Sequence, residues 1–157
     1  MKLKLLIVGK TDDSRLASLI SDYQQRITHY LPFEQIVIPE PRNTKSLSQD
    51  QQKETEASEI LKAVGATDNV ILLDEHGTQY RSTEFAIWLA KQMNSGQKTL
   101  WLVIGGPYGF SQAVRNRANG LISLSKMTFS HQMVRLFAIE QIYRALTIIN
   151  HEPYHHE

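Results

Sequence analysis

A glycine-rich stretch, VIGGPYG at residues 103–109, is the part of this sequence whose residue types point most directly to chemistry. Glycine has no Cβ, so a ligand or another chain segment can come close to the backbone there. Pro107 fixes one backbone torsion and removes one N–H donor. The stretch does not match the G-x-G-x-x-G dinucleotide fingerprint, and it lacks the Lys-Ser/Thr pair of a phosphate-binding loop. It is therefore either a tight turn without a ligand or the shaped wall of a binding site.

A second irregular segment, SLSKMTF at residues 123–129, follows a short apolar run and precedes a long helical pattern. Its small and polar residues are typical of neither a strand nor a helix. Together with residues 105–110 it can line a cleft with backbone amides and carbonyls. Such a lining suits a flat, neutral purine better than a phosphate, because the sequence has no dense cluster of Lys and Arg.

The composition is that of a globular protein with one core. The chain has 157 residues, of which 41% are hydrophobic and 21% charged, and it has no cysteine, so disulfides and thiolate metal sites are excluded. The net charge of +1 does not indicate a nucleic-acid binder, although residues 105–157 carry 5 Lys/Arg against 3 Asp/Glu. The first apolar run is too short for a signal peptide or a membrane span, so we expect a cytoplasmic protein without membrane contact.

The elements that must position these residues alternate between strand and helix patterns. Short apolar runs predict five strands, over residues 3–8, 33–38, 70–73, 100–104 and 121–124. Apolar residues spaced three and four apart predict helices over residues 14–30, 50–64, 82–94, 111–119 and 131–149, with Asp12 or Asp13 and Ser111 as N-caps. The DEHG residues 74–77 are predicted as a turn. The alternation predicts an α/β domain with a mostly parallel sheet.

Three strand ends are the expected location of a ligand, because ligands of such sheets bind beyond the carboxyl ends of the strands. They are residues 73–74, 105–106 and 124–129, which include both irregular segments described above.

The last predicted helix is apolar on more than one face, which a chain of this size buries most simply in a homodimer interface. Arg135, Glu140 and Arg144 interrupt that apolar surface. Glu140 and Arg144 are four residues apart, so a solvated ion pair is the simple interpretation. For Arg135 and Arg144, contact with a substrate phosphate is the alternative.

Several of these segments together resemble the ribosomal large-subunit pseudouridine methyltransferase H family, a member of the SPOUT class of knotted methyltransferases. They are VIGGPYGF, SLSKMTFSHQMVRLFAIEQIYRA and the terminal PYHHE, and MKLKLLIVGK and VILLDEHG match as well. The resemblance covers nearly the whole chain and implies one SPOUT domain over residues 1–157. It also implies a homodimer and an α/β fold whose parallel sheet ends in a C-terminal trefoil knot.

The family resemblance implies that S-adenosylmethionine binds bent in the knot. Its contacts, carried over by position, are Leu73, Gly105, Leu124, Ser125, Lys126, Met127, Thr128 and Phe129. These residues lie at the three strand ends identified above. The methyl group of this cofactor is already activated, so no metal is expected.

The resemblance further implies methylation at N3 of a pseudouridine in 23S rRNA within assembled ribosomes, with the tail of one subunit completing the site of the other. The imide proton must leave, and His155 is the first candidate base and His131 the second. Tyr154 would stack on a base or position it. The alternatives are a disordered tail for His155 and a purely helix-terminal residue for His131. His156 stands where the family often has arginine or lysine.

Contacts with RNA phosphates are expected from basic side chains near the C-terminal third and the first strand end. The candidates are Lys10, Arg115, Arg117, Arg135 and Arg144. Two other functions remain open from the sequence. One is a SPOUT methyltransferase acting on another RNA such as tRNA, and the other is a non-catalytic ribosome-binding module.

Overall fold

The computed structural model describes residues 1–156, which form five strands and five α-helices in alternation. The strands are β1 (Lys2–Val8), β2 (Phe33–Ile38), β3 (Asn69–Gln79), β4 (Thr99–Ile104) and β5 (Gly120–Ser123). The helices are α1 (Ser14–Thr28), α2 (Gln49–Ala63), α3 (Ser82–Met93), α4 (Gln112–Arg117) and α5 (Met133–Ile149), with one 3-10 turn at Thr44–Ser46. The predicted alternation is confirmed.

One parallel sheet, in the order β2-β1-β4-β3-β5, forms the centre of the fold. Successive side chains of a strand point to opposite faces, and β1 shows this clearly. Leu5 and Ile7 pack in the core under α1, α3 and α5, whereas Leu6 and Val8 pack under α2 and α4. With both faces covered, the central strands are apolar along almost their whole length.

Side-chain caps fix where three of the helices begin. Asp13 accepts hydrogen bonds from the backbone N–H groups of Arg15 and Leu16 at the start of α1. Ser48 and Gln51 form a reciprocal capping box on α2, and Ser111 caps α4. The predicted caps at Asp13 and Ser111 are confirmed, and each helix therefore leaves its preceding strand at a defined point.

Strand β3 differs from the prediction, because the DEHG residues 74–77 do not end it in a turn. They bulge out of the ladder, and the strand then pairs with β5 again, so that Leu73 and Thr78 both lie opposite Ile122. Gly77 makes this possible, since a Cβ there would lie 2.6 Å from the Ile122 backbone. The bulge places polar side chains at the carboxyl edge of the sheet.

Candidate functional site

A cleft of about 500 Å³ lies beyond the carboxyl ends of β3, β4 and β5. Three segments form its walls: the β3 bulge, the glycine-rich loop after β4, and the irregular chain between β5 and α5. The lining residues are Leu73, Asp74, Glu75, His76, Ile104, Gly105, Gly106, Pro107, Tyr108, Gly109, Phe110, Arg115, Leu124, Ser125, Met127, Thr128, Phe129, Ser130, His131 and Val134. The volume lies within the range of small-molecule sites.

The residues predicted to contact the cofactor converge on this cleft. Those that line it are Leu73, Gly105, Leu124, Ser125, Met127, Thr128 and Phe129. Lys126 is exposed and is not among the lining residues. The irregular segment keeps its shape through local hydrogen bonds: Ser123 Oγ donates to the Ser125 carbonyl, and Ser125 Oγ accepts from the Met127 N–H.

The three glycines after β4 each have a different structural reason. A Cβ on Gly105 would lie 3.1 Å from the Phe110 ring, and Gly109 has a φ of 77°, a conformation that other residues rarely adopt. A Cβ on Gly106 would fall on the carboxylate of Glu56. The tight loop is closed by the Gly109 N–H, which donates to the Gly106 carbonyl at 3.2 Å.

Glu56 on α2 is a buried carboxyl that sequence reasoning missed. Glu56 is only 3% exposed. Its carboxylate accepts one hydrogen bond from Gln52 Nε2 at 3.1 Å and another from the Gly106 N–H. Burial raises the pKa of Glu56 despite these hydrogen bonds. One feature of the sequence does indicate it: Gln52 and Glu56 are four residues apart and lie on the buried, otherwise apolar face of α2. Glu56 thus fastens α2 to the glycine-rich loop.

Replacing Gly106 by alanine tests this arrangement. We expect Gly106→Ala to weaken S-adenosylmethionine binding by about 10- to 100-fold, because an overpacking strain of about 1–3 kcal/mol would displace the glycine-rich loop from its place in the cleft wall. Titration calorimetry measures the dissociation constant. In a Glu56→Ala background the added Cβ has room, so Gly106→Ala should reduce cofactor affinity several-fold less than it does in the wild type. An equal loss in both backgrounds would show that Glu56 does not set the loop.

Asp74 on the β3 bulge anchors the opposite wall. Its carboxylate accepts hydrogen bonds from Arg115 Nη2 at 2.7 Å and from the His76 N–H at 2.9 Å. Burial alone would raise the pKa of Asp74, but these hydrogen bonds and the charge of Arg115 outweigh it and hold that pKa below its ordinary value. Arg115, predicted to contact RNA, lines the cleft while paired with Asp74.

This ion pair predicts a pH dependence of stability. A carboxyl whose pKa is depressed by folding stabilises the native state above its unfolded pKa, and this contribution disappears as the pH falls through the folded pKa. At pH 7 we expect Asp74→Asn to lower the free energy of unfolding by about 1–2 kcal/mol relative to the wild type. This difference should begin to shrink as the pH falls below the ordinary carboxyl pKa of 3.8, and it should vanish below the depressed pKa of the folded state. Urea unfolding at several pH values measures it, with exposed Glu75→Gln as control. A pH-independent gap would contradict the assignment.

The C-terminal tail packs against α1 and α5 of the same chain, away from the cleft. The Tyr154 hydroxyl donates to Glu140 at 3.0 Å and lies 3.1 Å from the Tyr23 hydroxyl. Arg144 stacks on the Tyr154 ring and approaches His155 Nδ1 at 3.3 Å. Neither Tyr154 nor His155 is among the cleft-lining residues, whereas His131 is. Within one chain, the predicted catalytic residues are therefore not brought together.

The tail is held by charge as well as by packing. Arg144 Nη2 pairs with Glu140 at 2.6 Å, as the four-residue spacing predicts, although both side chains are largely buried rather than solvated. Burial, the hydrogen bonds with Tyr23 and Glu140 and the charge of Glu140 raise the pKa of Tyr154. The phenol therefore stays protonated near neutral pH.

Arg135, predicted to contact RNA, is buried and is hydrogen-bonded within the protein. The residue is 1% exposed, and its three guanidinium nitrogens donate to the His131 carbonyl (3.0 Å), the Thr11 hydroxyl (3.1 Å) and the Val8 carbonyl (2.5 Å). It therefore joins the end of β1 to the start of α5. This burial could not be predicted locally, because an arginine in a helix is usually exposed.

The two remaining basic candidates differ in their surroundings. Arg117 donates to the carbonyls of Gly65 at 2.5 Å and Asp68 at 2.9 Å, so it stabilises the loop before β3. Lys10 is exposed at the end of β1 and remains a candidate for a phosphate contact.

Within residues 1–156, no group of three or more His, Cys, Asp or Glu side chains is arranged to hold a metal ion. In the same part of the chain, no helix combines the length and the apolar character needed to cross a membrane.

Comparison with known proteins identifies the family. A family model described as "Predicted SPOUT methyltransferase" matches residues 1–155. Proteins named "Ribosomal RNA large subunit methyltransferase H" are 56% identical in Bacteroides thetaiotaomicron, 55% in Parabacteroides distasonis and 54% in Flavobacterium johnsoniae, each over 157 residues and all of both chains.

Solved structures share the fold at low sequence identity. A probable methyltransferase from Bordetella pertussis superposes with a TM-score of 0.57 at 9% identity, covering 92% of this chain and 96% of that one. A probable methylase family protein from Haemophilus influenzae gives 0.52 at 11% identity, covering 99% of this chain and 70% of that one. The family model and the full-length relatives show that the chain belongs to the SPOUT methyltransferase family.

Proposed function

We propose that this protein transfers a methyl group from S-adenosylmethionine to N3 of a pseudouridine in 23S rRNA of assembled ribosomes in the cytoplasm. The full-length relatives that share more than half of its residues carry the name of a large-subunit rRNA methyltransferase. The observation that supports the proposal best is the convergence of the β3 bulge, the glycine-rich loop and the irregular segment on one cleft.

The residues of the cleft fit S-adenosylmethionine. Backbone groups of the glycine-rich loop and of residues 124–129 would hold its polar edges, and Ile104, Leu124 and Phe129 offer apolar surface to an adenine ring. Arg115 is already paired with Asp74, and Glu75 lies beside them, so this wall suits a cationic sulfonium better than a phosphate. When bound, the cofactor supplies an activated methyl group, and no metal is needed.

Removal of the imide proton falls to histidine in this proposal. His131 lies on the cleft wall and is half-buried, so its imidazole can reach a base that enters the cleft. His155 is held beside Arg144 on its own subunit. A neutral imidazole is the side chain best matched to accepting a proton near pH 7.

The proposal includes a homodimer in which the tail of one subunit reaches the cleft of its partner. Two observations support it. Met133 and Phe137 on α5 are each 43% exposed beside the cleft, and large apolar side chains of this kind mark interaction surfaces. The tail also has its catalytic candidates away from its own cleft. We further propose that the C-terminal part of the chain is threaded through a loop to form the trefoil knot of the class, and that residues 1–157 act as one domain.

Transfer of labelled methyl groups tests the function. Ribosomes that lack the modification, their free large subunits, and bulk tRNA are offered with labelled S-adenosylmethionine. We expect label in the large-subunit rRNA of intact ribosomes. Label confined to tRNA would give the protein a different RNA substrate, and cofactor binding without label in any RNA would contradict a catalytic role.

A further inference from the structure

A second cleft, of about 370 Å³, lies directly beside the first and shares Pro107, Tyr108 and His131 with it. Its other walls come from the end of β1, the loop before α2 and α2 itself. The acceptor atom of a methyl transfer must come within about 3–3.5 Å of the donor. A space that borders the proposed cofactor cleft along shared residues is therefore suited to hold the acceptor.

The floor of this second cleft is polar, although the side chains that form it are buried. Glu56 and Gln52 line it although they are only 3% and 8% exposed. Burying a carboxyl costs free energy unless it is hydrogen-bonded. A carboxylate offers about four acceptor positions, and the Gly106 N–H and Gln52 Nε2 take two of them. Glu56 lines the cleft, so its remaining acceptor capacity is available to a group bound there.

The rim of the cleft suits a nucleotide. Tyr108 is 46% exposed where the two clefts meet, and aromatic side chains in such positions stack on unpaired bases. Lys45 lies in the loop before α2 and also lines the cleft, so it offers a cation to a backbone phosphate. Glu40 on the same side is acidic, so the cleft is not a general anion site.

We propose that the second cleft receives the target base and that Glu56 accepts a hydrogen bond from its N1–H, which selects pseudouridine over uridine. This inference rests on the proposed function. Pseudouridine is joined to ribose through C5, so N1 keeps its proton and lies two ring positions from N3. Uridine in the same orientation presents C5–H to Glu56, and a site built to bind an N–H discriminates strongly against an analogue that lacks it.

Two substitutions at Glu56 separate this role from its support of the glycine-rich loop. In Glu56→Gln, the amide oxygen can still accept from the Gly106 N–H, while the other terminus becomes a donor. Glu56→Ala removes both functions. The control is Glu54→Gln, which changes an exposed carboxyl on the same helix.

The experiment compares ribosomes carrying pseudouridine with ribosomes carrying uridine at the target position. For Glu56→Gln we expect the S-adenosylmethionine dissociation constant to stay within about twofold, while kcat/KM on pseudouridine falls by about 10- to 100-fold. The preference for pseudouridine over uridine should fall with it. Glu56→Ala should also bind the cofactor more weakly, and Glu54→Gln should match the wild type.

A substitution on the exposed rim of the cleft tests the same inference at a position where a folding defect is not expected. Tyr108→Ala should lower kcat/KM on pseudouridine-containing ribosomes by about tenfold, the value of one stacking contact, and this loss should exceed any change in the cofactor dissociation constant. An unchanged pseudouridine preference in Glu56→Gln, or full activity in Tyr108→Ala, would overturn the inference while the function stands. A wild type that binds cofactor but labels no ribosome would overturn the proposed function, and this inference with it.

Discussion

Deletion of residues 154–157 is expected to lower kcat for methyl transfer by about 100-fold or more, the usual contribution of a positioned proton acceptor. The dissociation constant for S-adenosylmethionine should stay within about twofold, because Tyr154 and His155 are not among the residues that line the cleft of their own subunit. Single-turnover kinetics and calorimetry measure the two quantities.

The control for the deletion is His29→Asn, which changes an exposed histidine at the end of α1. Tyr154→Phe is the milder variant, since it keeps the ring under Arg144 but removes the hydroxyl that donates to Glu140. A parallel loss of cofactor affinity in the deletion would mean that the tail supports cofactor binding, in its own cleft or in that of the partner, rather than the chemical step. An unchanged kcat would remove the tail from the active site.

The same prediction can be tested for action between subunits. Tail-deleted chains and Gly106→Ala chains are each expected to be impaired, for different reasons. In a mixed dimer, the intact cleft of the first chain meets the intact tail of the second. We expect the mixture to regain activity that neither parent shows alone. Failure to regain it would contradict the proposed homodimeric site.

Arg135→Ala is expected to be the most destabilising single substitution, with a loss of about 3–5 kcal/mol in the free energy of unfolding. The change leaves the Val8 and His131 carbonyls without their donor and opens a cavity between β1 and α5. Arg135→Met, which refills much of the volume, should recover part of the loss. Urea unfolding in the absence of ligand measures both.

This result also distinguishes two roles for Arg135. If its guanidinium instead bound an RNA phosphate, the alanine variant would unfold like the wild type and lose affinity for the ribosome. A change in unfolding free energy below about 1 kcal/mol, the level of an ordinary surface substitution, would therefore contradict the structural role.

Much of the fold follows from local pattern. The apolar runs that become β1 and β4 are buried on both faces, and their period and length indicate central strands of a parallel sheet. The second half of β3 could not be predicted in this way. Asp74 and Gly77 look like turn residues, and only their partners, Arg115 on α4 and Ile122 on β5, show that the strand resumes.

The candidate site was predictable in part for a similar reason. Strand ends are marked locally, so the glycine-rich loop and residues 124–129 stood out. Glu56 acts on a loop that is 50 positions away along the chain, and its contact with Gly106 depends on how α2 packs. Arg135 looked like a surface cation because its acceptors at Val8 and Thr11 are brought to it only by the tertiary fold.

The most direct test of the central claim is the chemical identity of the methylated nucleotide. Modification-free ribosomes are incubated with the wild-type protein and S-adenosylmethionine, and the rRNA is digested and analysed by mass spectrometry. We predict one added methyl group, on N3 of a pseudouridine in 23S rRNA. A methyl group on ribose or on small-subunit rRNA, or none at all while the cofactor binds, would contradict the account.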